Sequence, residues 1–237
     1  MLQAGYASVL NARSQDDFRQ EVVRFSQALG FNTVSALSVH DTGVDRAEFM
    51  AVDNAPAGYA EAINDQPSGR RDPVMQHCRR HSVPMVWDQH TYTRCGLGEL
   101  WEEQARFGYC TGIAMALHLP EGRHFVMGVE RDQPLPGDAN ELTRLVADLQ
   151  LFAVHAQEAA MRVLSPLMLA SERPHLTPRE VEALRWTMEG KTAWEVGVIL
   201  GISERTAVLH VNNAMHKLNC ASKHQAVLKA IRLGLIN

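Results

Sequence analysis

Between Glu204 and Leu218 the segment ERTAVLHVNNAMHKL sets Arg205, Val208, Leu209, Asn212 and His216 on or beside one face of a helix. The chemistry open to such a face is the reading of base edges. An asparagine amide can bond an adenine bidentately, valine or leucine can touch a thymine methyl, and arginine meets guanine. Other constellations lead elsewhere and fall short. Gly190-Lys191-Thr192 resembles the end of a phosphate-binding loop, but Arg185 stands where that loop needs glycine, after a helix rather than a strand. His77, Cys78 and His81 share one helix with the histidines at i and i+4, yet no acidic or third partner follows at a fitting spacing, so a metal site is not expected. Neither GxSxG nor HExxH occurs, and no enzyme is expected.

The base-reading face needs elements to hold it. Thr177, Pro178 and Glu180 form a helix start, with a capping hydroxyl, a proline in the first turn and a carboxylate three residues after the cap. Gly190 ends that helix, Thr192 caps TAWEVGVIL with Glu195 three residues on, and Leu200-Gly201-Ile202-Ser203 makes a tight turn before the next helix. Helix, glycine turn and capped helix form the helix-turn-helix arrangement, whose second helix enters the major groove.

Charge divides the chain in the same place. Residues 1–173 carry a formal charge of −7 and residues 174–237 carry +3, within a total of −4 over 237 residues. A basic end on an acidic body suits contact with a polyanion. Four cysteines without a CxxC pair indicate neither a disulfide framework nor a zinc ribbon, and a reducing cytoplasm is expected. No apolar stretch reaches the ~20 residues of a membrane helix, so no membrane partner is expected.

The first part alternates helices and strands. Ser14 and Asp17 open a helix that carries Phe18, Val22, Phe25 and Leu29. Thr33–His40 and Ala47–Val52 read as a strand pair, Pro56–Asn64 and Asp72–His81 as short helices, and Val83–Trp87 as a strand. A short helix over Gly98–Phe107 precedes two strands, Thr111–Leu119 and His124–Arg131, joined by Pro120-Glu121-Gly122-Arg123. A long helix spans Asp138 to about Leu164. The expected fold is α+β: an N-terminal α/β/α sandwich on an antiparallel sheet, then an all-α helix-turn-helix domain of four helices.

The string from Leu176 to Asn237 resembles the C-terminal domain of LuxR-type regulators along its whole length, through Glu180, Leu184, Gly190, Lys191, Thr192, Glu195, Ile199, Leu200, Ile202, Ser203, Thr206, His210, Asn213, Lys217, Leu218 and the Gly234-Leu235-Ile236 ending. Ala207 replaces the family's usual β-branched residue and should loosen packing. The resemblance implies duplex DNA as partner, with contacts from Lys191, Thr192, Ser203, Arg205, Thr206, Val208, Leu209, Asn212, Asn213, His216 and Lys217. It also implies a homodimer on a pseudo-palindromic operator, and RNA polymerase as a further partner. Val227, Leu228 and Ile231 give the last helix an apolar stripe suited to that dimer.

Asp72-Pro73, Trp87, Trp101 and Gly112 resemble the autoinducer-binding domain of quorum-sensing LuxR-type proteins, which bind acyl-homoserine lactones. The resemblance implies that Asp72 accepts a ligand amide N–H and that Trp87 packs the lactone ring, with Trp101 beside them. Tyr59 stands where the family has the tryptophan that donates to the lactone carbonyl, Ile63 where it has a tyrosine, and Ala55 where another tyrosine is frequent. Two hydroxyls are lost at Ile63 and Ala55, so the ligand is expected to be an acyl-homoserine lactone bound less well, another small apolar molecule, or none. The expected division is a sensor over 1–164, a linker over 165–175 and the DNA-binding domain over 176–237. Rival readings are an orphan regulator with a self-filled pocket, and a ligand-sequestering module without DNA binding.

Overall fold

A computed structural model describes residues 2–43, 46–64, 71–164 and 174–236, which form two compact units. The expected linker lies outside these residues except for its last two. In the first unit, α1 (Leu2–Ala7) and α2 (Gln15–Ala28) precede β1 (Thr33–Gly43) and β2 (Arg46–Asp53). Then come α3 (Tyr59–Asn64), α4 (Pro73–Arg80), β3 (Met85–Trp87), α5 (Gln89–Thr93) and α6 (Gly98–Ala105). The unit closes with β4 (Thr111–Leu119), β5 (Arg123–Arg131) and α7 (Ala139–Val163). The strands form one antiparallel sheet in the order β2-β1-β5-β4-β3.

Period-two alternation sends the two faces of this sheet to different partners. Phe125, Met127 and Val129 of β5 join Ile113 and Met115 of β4 and Val34 and Ala36 of β1 under α2 and α7. α2 holds its place through the Ser14–Asp17 capping box and buries Phe18, Val22 and Phe25. α7 buries Leu149, Phe152, Ala153, Ala156 and Ala160 on one stripe, and its Phe152 stacks on Phe25 with ring centroids 3.9 Å apart. Each large apolar side chain buried in this layer contributes roughly 1.5 to 3 kcal/mol. The opposite face carries Ala114, Ala116 and Val126, with Leu37 beside them, and meets Val74 and Cys78 of α4, Tyr92 of α5 and Leu100 of α6. The expected α/β/α sandwich is the fold observed.

In the second unit, α8 (Pro178–Met188), α9 (Ala193–Leu200), α10 (Glu204–Lys217) and α11 (Lys223–Arg232) follow one another. Thr177 and Thr192 each close a capping box, with Glu180 and Glu195, while Ser203 and Ser222 cap α10 and α11. Gly201 ends α9 with φ 67°, a left-handed position where a side chain is strained. A glycine that the pattern did not single out fixes the crossing of α9 and α10. A Cβ on Gly197 would lie 2.9 Å from the Ile202 carbonyl and 3.1 Å from the Glu204 nitrogen, so only glycine lets the helices approach this closely.

Candidate functional site

On α10 the exposed positions are Glu204, Arg205, Val208, Leu209, Asn212, Asn213, His216 and Lys217, while Ala207, Ala214 and the following Leu218 are buried. The side chains that the spacing sets on one face are thus all exposed. Thr192 and Ser203 stand at the first turns of α9 and α10, where their hydroxyls accept the Glu195 and Thr206 amides at 3.3 and 3.1 Å. Thr206 is half-buried, and its hydroxyl lies 2.8 Å from that of Ser203. Lys191 is half-buried between α8 and α9.

Lys217, expected at DNA, is held in an ion pair within its own unit. Its ammonium donates to Glu180 Oε2 at 2.8 Å, and the same oxygen accepts the Thr177 amide at 2.8 Å. Glu180 is buried, and a buried carboxylate without a cation would be costly; Lys217, its side chain 37% exposed, supplies that cation. Burial pushes the Glu180 carboxyl up, but the bonds from Lys217 and Thr177 outweigh it and hold the group below its ordinary value. Val227, expected at the dimer, also has contacts within its own unit. It packs against the core cluster of Leu184, Ala226 and Ala230, while Leu228 and Ile231 remain 56% and 42% exposed. The stripe on α11 is narrower than its spacing suggests, because a helix this short must use one edge of it for its own unit.

Ala207 is buried with Ala183 and Val196, and beside it a groove of about 350 Å³ runs between Thr187, Lys191, Val208, Val211, Asn212 and Lys223.

In the sensor unit, Asp72 caps α4 with one oxygen and faces the interior with the other. Oδ1 accepts the Val74 and Met75 amides at 2.8 and 3.0 Å. Oδ2 accepts the Tyr92 hydroxyl at 3.1 Å and the Gln104 amide at 3.4 Å. Tyr59 stacks on Tyr109 with centroids 4.2 Å apart and meets Phe107 edge-on at 5.6 Å. Burial raises the phenols of Tyr59, Tyr92 and Tyr109, so all three remain hydroxyls. The thiol of Cys78 is pushed up to about 11 by burial and by the nearby Asp72.

Trp87 packs over Gly112 of β4 and is 3% exposed, edge-on to Tyr92 with centroids 5.7 Å apart. Trp101 is anchored differently: its indole N–H donates to the Cys110 carbonyl at 3.0 Å, which fixes α6 to the start of β4. The side chain of Ile63 lies outside the described residues.

Tyr92, Gln104 and Glu130 join this cluster without having been singled out in the sequence. Glu130 carried a signal, since it follows Val126 and Gly128 at strand spacing onto the face that meets α4, α5 and α6. Burial raises its carboxyl to about 8, with the Thr33 hydroxyl opposing and the Asp72 charge adding to the rise.

A buried carboxylate ringed by tyrosines, in a sandwich followed by a helix-turn-helix unit, defines a class: ligand-responsive DNA-binding regulators. Residues 14–160 match the family described as autoinducer binding domain, and residues 174–230 match the family described as bacterial regulatory proteins, luxR family. The transcriptional activator protein SolR of Ralstonia nicotianae is 31% identical over 99% of this chain and 98% of its own. The HTH-type quorum sensing-dependent transcriptional regulator RpaR of Rhodopseudomonas palustris is 36% identical over 70% of this chain and 66% of its own. Among solved structures, Escherichia coli SdiA matches the fold with a TM-score of 0.82 at 24% identity, over 100% of this chain and 98% of that one. A structure described as SdiA in complex with octanoyl-rac-glycerol matches with the same TM-score and identity, over 95% of that chain. The chain belongs to the LuxR family of quorum-sensing transcriptional regulators, with an autoinducer-binding domain and a DNA-binding helix-turn-helix domain.

Proposed function

We propose that the protein acts in the cytoplasm as a homodimer on a pseudo-palindromic operator, and that an acyl ligand with an amide N–H, such as an acyl-homoserine lactone, controls it through the pocket at Asp72. On this reading residues 1–164 sense, 165–175 link, and 176–237 read DNA through Arg205, Val208, Leu209, Asn212 and His216. Leu228 and Ile231 on α11, with exposed Leu151 and Val154 on α7, supply apolar surface for the dimer. Exposed Trp194, Val198 and Ile199 on α9 offer surface to a further protein such as RNA polymerase.

The observation that carries the ligand reading is the second oxygen of Asp72. It faces the tyrosine cluster, and its bond from Gln104, at 3.4 Å, is long enough for a ligand N–H to displace. The SolR relative is a transcriptional activator and SdiA has been solved in complex with octanoyl-rac-glycerol, and these support the acyl part of the reading. A second reading, a ligand-independent regulator, is favoured by the four protein donors that already reach Asp72. A sequestering module has no such support, because α10 keeps its base-reading face exposed.

A reporter in a host that makes no lactone separates the two. Operator control should appear only on adding a lactone, and Asp72→Asn should weaken the response about tenfold to a hundredfold, for a charge-assisted bond of about 1.5 to 3 kcal/mol. Full control without lactone overturns the first reading in favour of the second.

A further inference from the structure

The groove beside Ala207 belongs to the helical unit alone, and α8, α9, α10 and α11 all contribute to it. Its apolar lining comes from Val196 of α9 and from Ala207, Val208, Val211 and Met215 of α10. Ala207 offers only a methyl group, and the space of about 350 Å³ lies within the ~300 to 1,000 Å³ of small-molecule sites. Like such sites, it sets a few polar groups among apolar ones.

Those polar groups share one sign. Lys191, from the turn before α9, and Lys223, the first residue of α11, both line the groove, and no acidic residue does so among the described residues. Lys223 enters no ion pair among the described residues. Lys191 lies near Glu195, whose carboxylate is already held by the Thr192 amide and hydroxyl at 2.7 and 2.8 Å. The Thr187 hydroxyl donates back to the Ala183 carbonyl at 2.7 Å, so the lysines and the Asn212 amide are the groups that remain to meet a ligand. Two lysines without an acid select an anion, and the apolar lining selects what the anion is attached to. A bare phosphate would satisfy the lysines and leave the apolar surface wet. An uncharged chain would cover that surface and leave the lysines without a counterion.

We propose that this groove is a ligand site of the helical unit for a small amphipathic organic anion, a carboxylate on a medium-length apolar chain, and that its occupation competes with DNA. Val208 and Asn212 line the groove and also stand on the exposed face of α10, so a bound molecule covers part of that face and its charge repels phosphates. The competition rests on the reading that α10 meets DNA through these residues; the site itself does not.

The test uses the purified full-length protein, methyl-labelled at valine and methionine, with decanoate below its micelle concentration as probe and decanol as its uncharged match. Decanoate should shift the Met215 and Val211 methyl signals saturably, and decanol should bind there about tenfold less well, the worth of one charge-assisted hydrogen bond. Lys223→Gln, at an exposed position that leaves the core untouched, should weaken decanoate by about the same factor. Ala207→Val, which fills the groove, should remove the saturable shift. Fluorescence anisotropy of a labelled duplex at low salt gives a second readout: decanoate should release the duplex from the wild type and not from Ala207→Val. A duplex that stays bound while the groove methyls shift sinks the competition and leaves the site standing. Shifts confined to methyls of the sensor unit, equal binding of decanol, equal shifts on adding inorganic phosphate, or a Lys223→Gln protein that binds decanoate as the wild type does overturn the site.

Discussion

Lys217 Nζ lies 2.8 Å from Glu180 Oε2, an ion pair that ties the last turn of the recognition helix α10 to the first turn of α8. Its partners are 37 positions apart, so it closes the helical unit rather than one helix. Lys217→Ala should leave Glu180 buried and unpaired, costing about 1 to 3 kcal/mol after allowing for the solvent around the lysine. The thermal melt of the full chain should fall accordingly, and DNA affinity at fixed salt should follow the melt. If instead affinity and its salt slope drop while the melt stays in place, Lys217 is a phosphate contact. Because Glu180 is held below its ordinary value, the pair stabilises the fold above that value and is lost as the pH falls through the lowered one.

Glu130 has the opposite sign. Its carboxyl is raised from 4.5 to about 8, so folding favours its proton. The stability this gives is complete below the unfolded value and is lost as pH climbs toward 8. Glu130→Gln, which has no proton to lose, should therefore gain on the wild type by roughly 3 to 5 kcal/mol between pH 4.5 and pH 8, then level off. Denaturant midpoints of both proteins at several pH values measure the gap, and a gap that stays constant would place Glu130 in contact with water.

The groove beside Ala207 can be filled. Ala207→Val adds two methyl groups where about 350 Å³ stands open, and should raise stability by roughly 0.5 to 1.5 kcal/mol. Urea unfolding measures it. A loss of stability would mean that the space is closed to a side chain entering from α10.

Leu228→Glu should weaken operator binding more than it lowers the melting temperature, because this side chain is 56% exposed and supports little of its own unit. Val227→Ala is the contrasting case: it packs on the core and should lower the melt. Equal losses of both properties in Leu228→Glu would make that residue core and remove the proposed α11 interface.

Much of this was legible in the sequence, and the rest was hidden for physical reasons. Caps announce themselves because Ser14, Thr177 and Thr192 each need a carboxylate three residues on, and the structure makes all three boxes. Buried stripes on α2 and α7 follow from helical spacing. α5 escaped notice because Gln89–Thr93 is too short to show a period, and its Asp88–Thr91 capping box uses a hydroxyl where a carboxylate is usual. The ion pair of Lys217 was illegible since nothing in its spacing reveals a carboxylate buried on another helix. Glu130 and Gly112 were obscure for a related reason: their meaning depends on register across four strands, which no single strand encodes.

The central pairing of β1 with β5 joins residues 97 positions apart, as Thr33 and Glu130 are. During synthesis, then, β1 has only β2 to pair with until nearly the whole sensor has left the ribosome. A lone two-stranded hairpin is barely stable, and its open edge invites association with other chains. The helical unit, whose contacts span short stretches, closes soon after it emerges. The chain is thus built in an order that leaves its receptor half exposed longest, and slower synthesis or lower growth temperature should raise the soluble yield of the sensor more than that of the helical unit.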